Sequence, residues 1–375
     1  MNQNFFAISK NLVEKGIITE DFFPTNEEHA KECFVFFSNQ YSAYLSQSIE
    51  KINTHRRFDL LHANFDFKPT LVIEIGGTKA TIQILSMVND NVEHSEHITV
   101  ETLRTETNMV FEDFCSWLEK LIRENIGNTE RVGINLAGAV NTDGVILLSP
   151  PNISVEDMSG KNIVERLHSS LPNLQINIFN DTESVLGAQY FNERKDKYNL
   201  YANINGTGSN SSFLDSSGYM HNLETGHAPA TVFGGITIEL EDITGGRKGI
   251  EQNFNKIIND KNLSDKHFTT LEIYDLSFND YKNEDIYNVA LLTYNRAYFY
   301  KAMSFIVTRD FCHQRNMVSD KPDLFLLFGG INKSMMTIPS VKSWLKFFGR
   351  ELEIRYTVFG EDAGRYGAYL LSNVK

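Results

Sequence analysis

Cysteine is scarce in this chain, and basic clusters and long apolar runs are missing from it. The three cysteines, Cys33, Cys115 and Cys312, are far apart and form no CxxC or CxC pair. A sparse, odd set argues against a disulfide framework and against a structural zinc knuckle, and it is typical of a reducing compartment. The cysteine content therefore favours a cytoplasmic protein.

The missing apolar runs and the excess of acidic residues exclude further classes. No apolar run approaches the roughly 18 residues of a membrane span, and the first residues lack the basic start and apolar run of a signal peptide. The formal net charge of −13 creates a negative field that disfavours nucleic acid and anionic membranes as partners. A nucleotide ligand stays compatible, because backbone amides and Mg²⁺ can hold phosphate locally.

The hydrophobic residues that are present suffice for two domains. The 375 residues are 41% hydrophobic and include 27 Phe and 15 Tyr, so each domain could have its own core.

Residues 1–67 differ in sequence pattern from the rest of the chain. Thr25 and Glu28 have the form of a capping box, and the pattern after them predicts an amphipathic helix that packs on a larger body. Its apolar residues, at steps of mostly three and four, are Phe34, Phe37, Tyr41, Tyr44, Leu45 and Ile49.

The alternative interpretation of this segment is a DNA-binding head. Residues 1–68 contain seven Lys or Arg and nine Asp or Glu, without a clustered basic helix. This balance argues against nucleic-acid binding.

From Leu71 onward, strand and helix patterns alternate, which predicts an α/β fold. Residues 253–283 are polar and are expected to form a surface excursion. The predicted strands are 71–75, 80–85, 131–140, 175–180, 200–206 and 323–332, and the predicted helices are 109–126, 289–307 and 364–373.

The stretch LVIEIGGTKATIQIL, from Leu71 to Leu85, places two glycines between two strands. It lacks the spacing of the P-loop and of the dinucleotide-binding motif, and no helix pattern comes after it. Gly76, Gly77 and Thr78 therefore lie in a strand–turn–strand. A plain hairpin turn would explain them, and so would a phosphate site made of turn amides and the Thr78 hydroxyl.

Further polar and glycine motifs occur in order along the chain. Asn180 and Asp181 end an apolar strand and precede a helix, where they could cap the helix or place a carboxylate at the functional edge of an α/β sheet. The later motifs, each weak alone, are Gly206-Thr207-Gly208, Glu224 with His227, Glu241, and Gly329-Gly330.

This ordered set resembles the ROK family and the bacterial glucokinases, in the sugar-kinase branch of the actin/hexokinase/Hsp70 superfamily. The corresponding stretches are EIGGTK, FNDTES, NGTGSN, LETGH, EDITGG and FGGIN, and SPPNIS falls where the family has a sugar-side loop. The resemblance covers about residues 70 to 372.

The resemblance implies a two-lobed actin-like ATPase (ribonuclease H-like) α/β fold with a helical N-terminal extension. The implied division is residues 1–67 for the extension, 68–188 plus 356–375 for a small lobe, and 189–355 for a large lobe. Dimers are common in the family, so a homodimer is compatible with the resemblance.

The implied activity is that of an ATP-dependent hexose kinase with ATP and Mg²⁺ as cofactors, in which Asp181 is the base that accepts the proton of the attacked hydroxyl. Glucose is the expected sugar. The implied sugar-binding residues are Asn152, Asn180, Asp181, Glu224, His227 and Glu241. The implied nucleotide-binding residues are Gly76, Gly77, Thr78, Lys79, Gly206, Thr207, Gly208, Gly329 and Gly330.

Four features depart from the family pattern. Glu74 stands where the family most often has an Asp near Mg²⁺, and it is the expected metal residue. The family's cysteine cluster is missing, so no zinc is expected. Asn210 and Ser212 replace glycines, which could weaken the approach of the nucleotide. Residues 1–67 are not typical of the simplest members. The alternatives are an N-acetylhexosamine, fructose or acyl kinase and a non-catalytic sugar-sensing regulator.

Overall fold

The computed structural model describes residues 2–52, 60, 63–76, 79–89, 91–101, 110–141, 143–148, 158–193, 197–206, 208–233, 235–277 and 283–374. Four predicted site residues, Gly77, Thr78, Asn152 and Thr207, lie outside these ranges. The other predicted site residues lie inside them.

The first sheet is built from residues of the N-terminal half. Its order is β3-β2-β1-β5-β8, and β4 also pairs with β2. β1 runs antiparallel to β2 and parallel to β5, which in turn runs parallel to β8. The strands are β1 Thr70–Ile75, β2 Lys79–Val88, β3 Asn91–His94, β4 Ile98–Glu101, β5 Arg131–Leu136 and β8 Gln175–Asn180, with β6 Ala139–Val140 and β7 Ile146–Leu148 forming a separate small hairpin.

The second sheet repeats the same arrangement with later strands. Its order is β11-β10-β9-β14-β15, with β9 antiparallel to β10 and parallel to β14. The strands are β9 Asn199–Asn205, β10 Ser209–Leu214, β11 Met220–Asn222, β14 Asp323–Phe328 and β15 Glu353–Tyr356, and β12 Pro229–Phe233 and β13 Ile236–Glu239 form a separate hairpin.

Helices cover both faces of each sheet. One apolar cluster joins the first sheet to α3 and α4, another joins both sheets to α5 and α11, and a third joins the second sheet to α9, α10 and the extension. The helices are α1 Asn2–Glu14, α2 Glu27–Ile52, α3 Phe111–Asn125, α4 Ile163–Ser170, α5 Asp181–Glu193, α6 Glu241–Thr244, α7 Gln252–Asp260, α8 Thr270–Leu276, α9 Glu284–Gln314, α10 Thr337–Phe347 and α11 Ala363–Ser372. The expected α/β class is confirmed. The division into extension, small lobe and large lobe stays a proposal.

The N-terminal extension packs on the second sheet's outer layer. Phe37, Tyr41 and Leu45 of α2 are fully buried in the same apolar cluster as Trp344, and the Phe23 ring lies edge-on to that indole at 5.9 Å. The predicted amphipathic helix is therefore confirmed, and it forms part of the large apolar core.

Two local predictions were wrong. The side chain that caps α2 is Asn26, whose Oδ1 accepts the His29 amide at 2.9 Å. The helix begins at Glu27, two residues after Thr25, so Thr25 is too far ahead to cap it. Residues 253–283 are more than a surface excursion, because α7 and α8 bury Phe254 and Ile273 in the core.

Among the helices that the structure describes, none combines the length and hydrophobicity needed to cross a membrane.

Candidate active site

A cleft of about 510 Å³ opens between the two sheets, and strand ends and turns of both sheets line it. All the predicted site residues that the structure describes lie on this one cleft. They are Glu74, Gly76, Lys79, Asn180, Asp181, Gly206, Gly208, Glu224, His227, Glu241, Gly329 and Gly330. The sequence motifs, scattered over more than 250 residues, are therefore brought together by the fold.

Asp181 is the first residue of α5 and comes directly after β8. Its Oδ1 accepts the Thr182 amide at 2.8 Å. Burial, together with the nearby negative charge of Glu224, raises the pKa of Asp181 to about 7, although the Thr182 amide opposes this rise. A carboxylate with a pKa near neutrality is suited to accept a proton.

Asn180 caps the helix that carries Asp181. Its Oδ1 accepts the Thr182 backbone amide at 2.9 Å, and its backbone N–H donates to Glu183 Oε2 at 3.0 Å. These reciprocal bonds have the form of a capping box. Its Nδ2 donates to Gly138 O at 3.0 Å. Because these bonds engage both ends of the side chain, Asn180 fixes the start of α5 and thereby the position of Asp181.

Glu224 has a strained backbone at the opposite wall. Its φ of 46° and ψ of 43° place it in the left-handed region, which costs a residue with a Cβ about 1–3 kcal/mol. Its Oε1 accepts hydrogen bonds from Asn222 Nδ2 at 2.6 Å and from Asn210 Nδ2 at 3.4 Å. Burial raises the pKa of this carboxyl, and the two amides oppose that rise. The Glu224 carboxyl is near enough to Asp181 for its charge to raise the pKa of that residue.

His227, Glu239 and Glu241 form a polar corner beside Glu224. His227 Nδ1 lies 3.1 Å from Glu239 Oε2, and potential ligand atoms of the three residues lie within 4.8 Å of one another. Lys248 pairs with Glu241 and already neutralises part of this group. The corner offers hydrogen-bonding partners for hydroxyl groups. Because Lys248 is bound to Oε1 of Glu241, that carboxylate has less capacity left to accept hydrogen bonds from a ligand.

Glu74 lies on the first sheet, paired with a cation from the last helix. Its Oε2 accepts Arg365 Nη1 at 3.0 Å, and its Oε1 accepts Asn135 Nδ2 at 3.3 Å. Burial raises the pKa of Glu74, while the Arg365 charge lowers it. Asn135 Oδ1 is buried and has no hydrogen-bond partner among the described residues. An orphaned oxygen beside a carboxylate is chemically suited to a hydrated divalent cation.

Glycine turns form the other end of the cleft. The β1–β2 pairing confirms the predicted hairpin, which Gly76 N closes on Lys79 O at 3.0 Å. A Cβ on Gly206 or Gly330 would have no atom within 4 Å, so their backbones face open space. Gly329 has a φ of 93° and packs against the Asn205 backbone, where a Cβ would clash. This end therefore exposes backbone that a ligand can approach closely.

Sequence reasoning missed cleft residues and a cation that pairs with one of them. Asn135 and Arg365, which line the cleft, are single polar residues in apolar patterns. Lys248, which pairs with Glu241, comes shortly after a glycine pair. Only Asn135 had a usable signal, because it lies near the end of a strand beside β1. The interpretation of Asn210 changes as well. Its side chain lies between Asn222 and Glu224, so it organises the polar wall and does not fill the glycine end.

Residues 70–234 match the model of the ROK family. No curated protein matches the chain in sequence.

Solved structures resemble the chain in fold at low identity. A hexokinase from Schistosoma mansoni complexed with glucose has a TM-score of 0.71 at 13% identity, covering 97% of this chain and 99% of its own. A protein from Listeria monocytogenes described as a putative N-acetylmannosamine kinase has a TM-score of 0.63 at 16% identity, covering 81% and 98%. A ROK family glucokinase from Streptomyces griseus in complex with glucose and AMPPNP has a TM-score of 0.60 at 16% identity, covering 80% and 98%.

The coverage also bears on the N-terminal extension. The match to the hexokinase leaves only a few residues of this chain uncovered, so most of residues 1–67 have a structural counterpart there. The resemblance expected from the motifs is thus confirmed: residues 70–234 carry the ROK-family sequence pattern, and the chain has the two-lobed, actin-like ATPase fold of ROK proteins and hexokinases.

Proposed function

We propose that this protein is an ATP-dependent hexose kinase that transfers the γ-phosphoryl group of ATP to a sugar hydroxyl, with Asp181 as the base. The observation that carries the proposal is the position of Asp181, which shares one cleft with the Glu224 and His227 wall and with the glycine turns. A base between a hydroxyl-binding wall and a phosphate-binding end is what phosphoryl transfer to a hydroxyl requires.

The acceptor hydroxyl would lie against Asp181. The carboxylate accepts its proton as the new O–P bond forms, and a pKa near 7 leaves a large fraction of Asp181 ionised at neutral pH. Glu224 and His227 would bind neighbouring hydroxyls, since a carboxylate can accept two hydrogen bonds. We assign Glu241 and Asn152 to the same sugar-binding surface. We assign Asn180 to the positioning of Asp181.

The nucleotide phosphates would lie at the glycine end. The open backbones at Gly206 and Gly330 fit a close ligand, and the side chains of Lys79 and Lys333 line the same cleft. Gly76, Gly208 and Gly329 complete these turns, and Gly77, Thr78 and Thr207 are proposed for them on sequence alone. Lys333 is paired with Glu361, which lines the same cleft, so the positive charge that favours an anionic ligand at this end comes chiefly from Lys79.

The residues around Glu74 fit the expected Mg²⁺. Glu74 and the orphaned Asn135 Oδ1 offer oxygen ligands, directly or through water. When bound, Mg²⁺ supplies charge neutralisation on the β- and γ-phosphates. Arg365 holds Glu74 by a 3.0 Å bond, so one carboxylate oxygen is fixed while the other faces Asn135.

The test is a coupled ADP-release assay across glucose, fructose, mannose, N-acetylglucosamine and N-acetylmannosamine. We expect turnover with glucose, because Glu224, His227 and Glu241 match the glucokinase motif. A kcat/KM that is highest with N-acetylmannosamine would instead favour the activity by which the Listeria protein is described. Sugar binding by calorimetry without turnover on any of the five would overturn the kinase proposal and favour a regulator.

A further inference from the structure

The N-terminal extension contacts the proposed sugar wall directly. Tyr44 and Ser48 lie four residues apart on α2 and so project from the same face of the helix. Tyr44 Oη donates to Glu224 O at 2.6 Å, and Ser48 Oγ donates to Leu223 O at 2.7 Å. Two consecutive backbone carbonyls at the strained position are thus held by one helix.

The segment held by α2 is the one that needs holding. Glu224 is left-handed although it has a Cβ, and such a conformation persists only where the surroundings over-determine it. Strand β10 restrains the neighbouring amides, because Leu223 N donates to Ser211 O at 2.9 Å and Thr225 N donates to Asn210 Oδ1 at 3.1 Å. The Glu224 amide donates locally, to Asn222 Oδ1 at 3.1 Å. The bonds from α2 are the long-range restraints on these two carbonyls.

The same carbonyl also links Glu224 to His227. Glu224 O accepts the His227 amide at 3.2 Å as well as the Tyr44 hydroxyl. A shift of this carbonyl would therefore move both side chains that are proposed to bind the sugar.

The helix itself is firmly anchored. Tyr41 and Leu45, on the turns next to Tyr44 and Ser48, are fully buried, and Ser48 is 4% exposed. Because α2 is packed into the large core, its two hydroxyls present fixed donors. A rigid supporting layer is what keeps a binding residue within the tolerance that recognition requires.

We propose that Tyr44 and Ser48 are positioning residues of the sugar site: α2 holds the Leu223–Glu224 backbone in its strained form and so aims Glu224 and His227 at the acceptor sugar. The inference rests on the proposed function. It makes the extension part of sugar recognition, which the sequence patterns of residues 1–67 did not indicate.

The test compares Tyr44→Phe and Ser48→Ala with two matched controls. Tyr294→Phe removes another tyrosine hydroxyl that donates to a carbonyl, Thr270 O at 2.8 Å, and Ser9→Ala removes another buried serine hydroxyl of the extension, which donates to Phe23 O at 2.8 Å. Neither control residue lines the cleft. Each of the four variants loses one hydrogen bond to a backbone carbonyl.

We expect KM for the sugar to rise about two- to tenfold in Tyr44→Phe and in Ser48→Ala, the scale of one lost hydrogen bond. The kcat and the KM for ATP should stay within about twofold, and the controls should change neither KM. Equal effects in variants and controls, or equal rises of both KM values, would overturn the inference, because a general loss of stability would act that way.

Hydrogen exchange of the peptide spanning residues 222–228 gives a readout that does not need turnover. Faster exchange there in Tyr44→Phe and Ser48→Ala, but not in the controls, is the expected result. If the wild type phosphorylated no sugar, the proposed function would fail, while this local change would still support the holding role of α2. Unchanged exchange together with unchanged sugar KM would refute that role.

Discussion

The two sheets of the protein have the same topology and carry different chemistry. In the first sheet, β1 pairs antiparallel with β2 and parallel with β5. In the second sheet, β9 pairs antiparallel with β10 and parallel with β14 in the same order. Each first hairpin also has a glycine-containing turn at the cleft. The repetition therefore builds a cleft with similar turns on its two sides.

The two sheets differ in the residue that the chain delivers after the last strand. After β8, helix α5 begins with Asp181, the proposed base. After β15, a short turn and helix α11 place Arg365 against Glu74 of the first sheet. The helix after the first sheet thus supplies a carboxylate to the reaction, and the helix after the second sheet supplies a cation that holds a carboxylate of the first sheet. The same strand order determines where a side chain is delivered, and the residue type at that point decides what it does.

The two helices meet where glycines remove side-chain bulk. Gly187 of α5 faces Leu371, and Gly367 of α11 faces the Ser184 backbone. These contacts lie between two helices that share one apolar cluster with both sheets, so they help to join the sheets.

The largest expected effect is on the base. Asp181→Asn preserves the shape of the residue but removes the proton acceptor, so kcat should fall about 10²- to 10⁴-fold. Sugar affinity, measured by calorimetry, should stay within a few-fold. A near-normal kcat would show that the residue after the last strand of the first sheet is not the base.

The next effect tests the contact between the two helices. A Cβ at Gly367 would meet the Ser184 backbone, whereas a Cβ at Gly187 would meet the Leu371 side chain, with Cγ at 2.9 Å. Because backbone cannot move aside as a side chain can, we expect Gly367→Ala to lower the free energy of unfolding by about 3 kcal/mol and Gly187→Ala by about 1 kcal/mol. Urea unfolding measures both. The reverse order would contradict the assigned crossing.

The pH dependence of activity tests the environment of Asp181. Since burial and Glu224 raise the pKa of Asp181 to about 7, the base is progressively protonated below this pH. The value of kcat/KM should fall about tenfold per pH unit below the midpoint and level off above it. Glu224→Gln removes the neighbouring charge and should move the midpoint of the profile to lower pH. A midpoint that did not move would assign the titration to another group.

The smallest effect concerns the glycine turns. Gly330→Ala meets no atom within 4 Å, so the free energy of unfolding should change by less than about 0.5 kcal/mol. If the phosphates approach this backbone, KM for ATP should rise several-fold while KM for the sugar stays constant. Gly160→Ala is a matched control outside the cleft, with the same open surroundings, although its positive φ adds a small folding cost. Equal KM values for ATP in both variants would remove Gly330 from the nucleotide site.

Much of the fold was predictable, because it depends on local patterns. An apolar stretch predicted β1, alternating apolar residues predicted β2, and apolar residues on several faces predicted the buried α9. The capping of α2 was misplaced by one residue, because Thr25 and Asn26 are both good caps and only the chain path selects between them. Helices α7 and α8 were missed, since their few buried residues, among them Phe254 and Ile273, lie in a polar context.

The candidate site, like the fold, was predictable in part. The sequence by itself determined the chemical inventory: Asp181 at a strand end, Glu224 with His227, and the glycine turns, each set by local strand and turn chemistry. Only the tertiary structure decided how these groups act. Burial and the approach of Glu224 raise the Asp181 pKa, Arg365 restrains Glu74, and Tyr44 reaches the Glu224 carbonyl across 180 positions of the chain. Such effects depend on distances between segments remote in sequence, which no local pattern records.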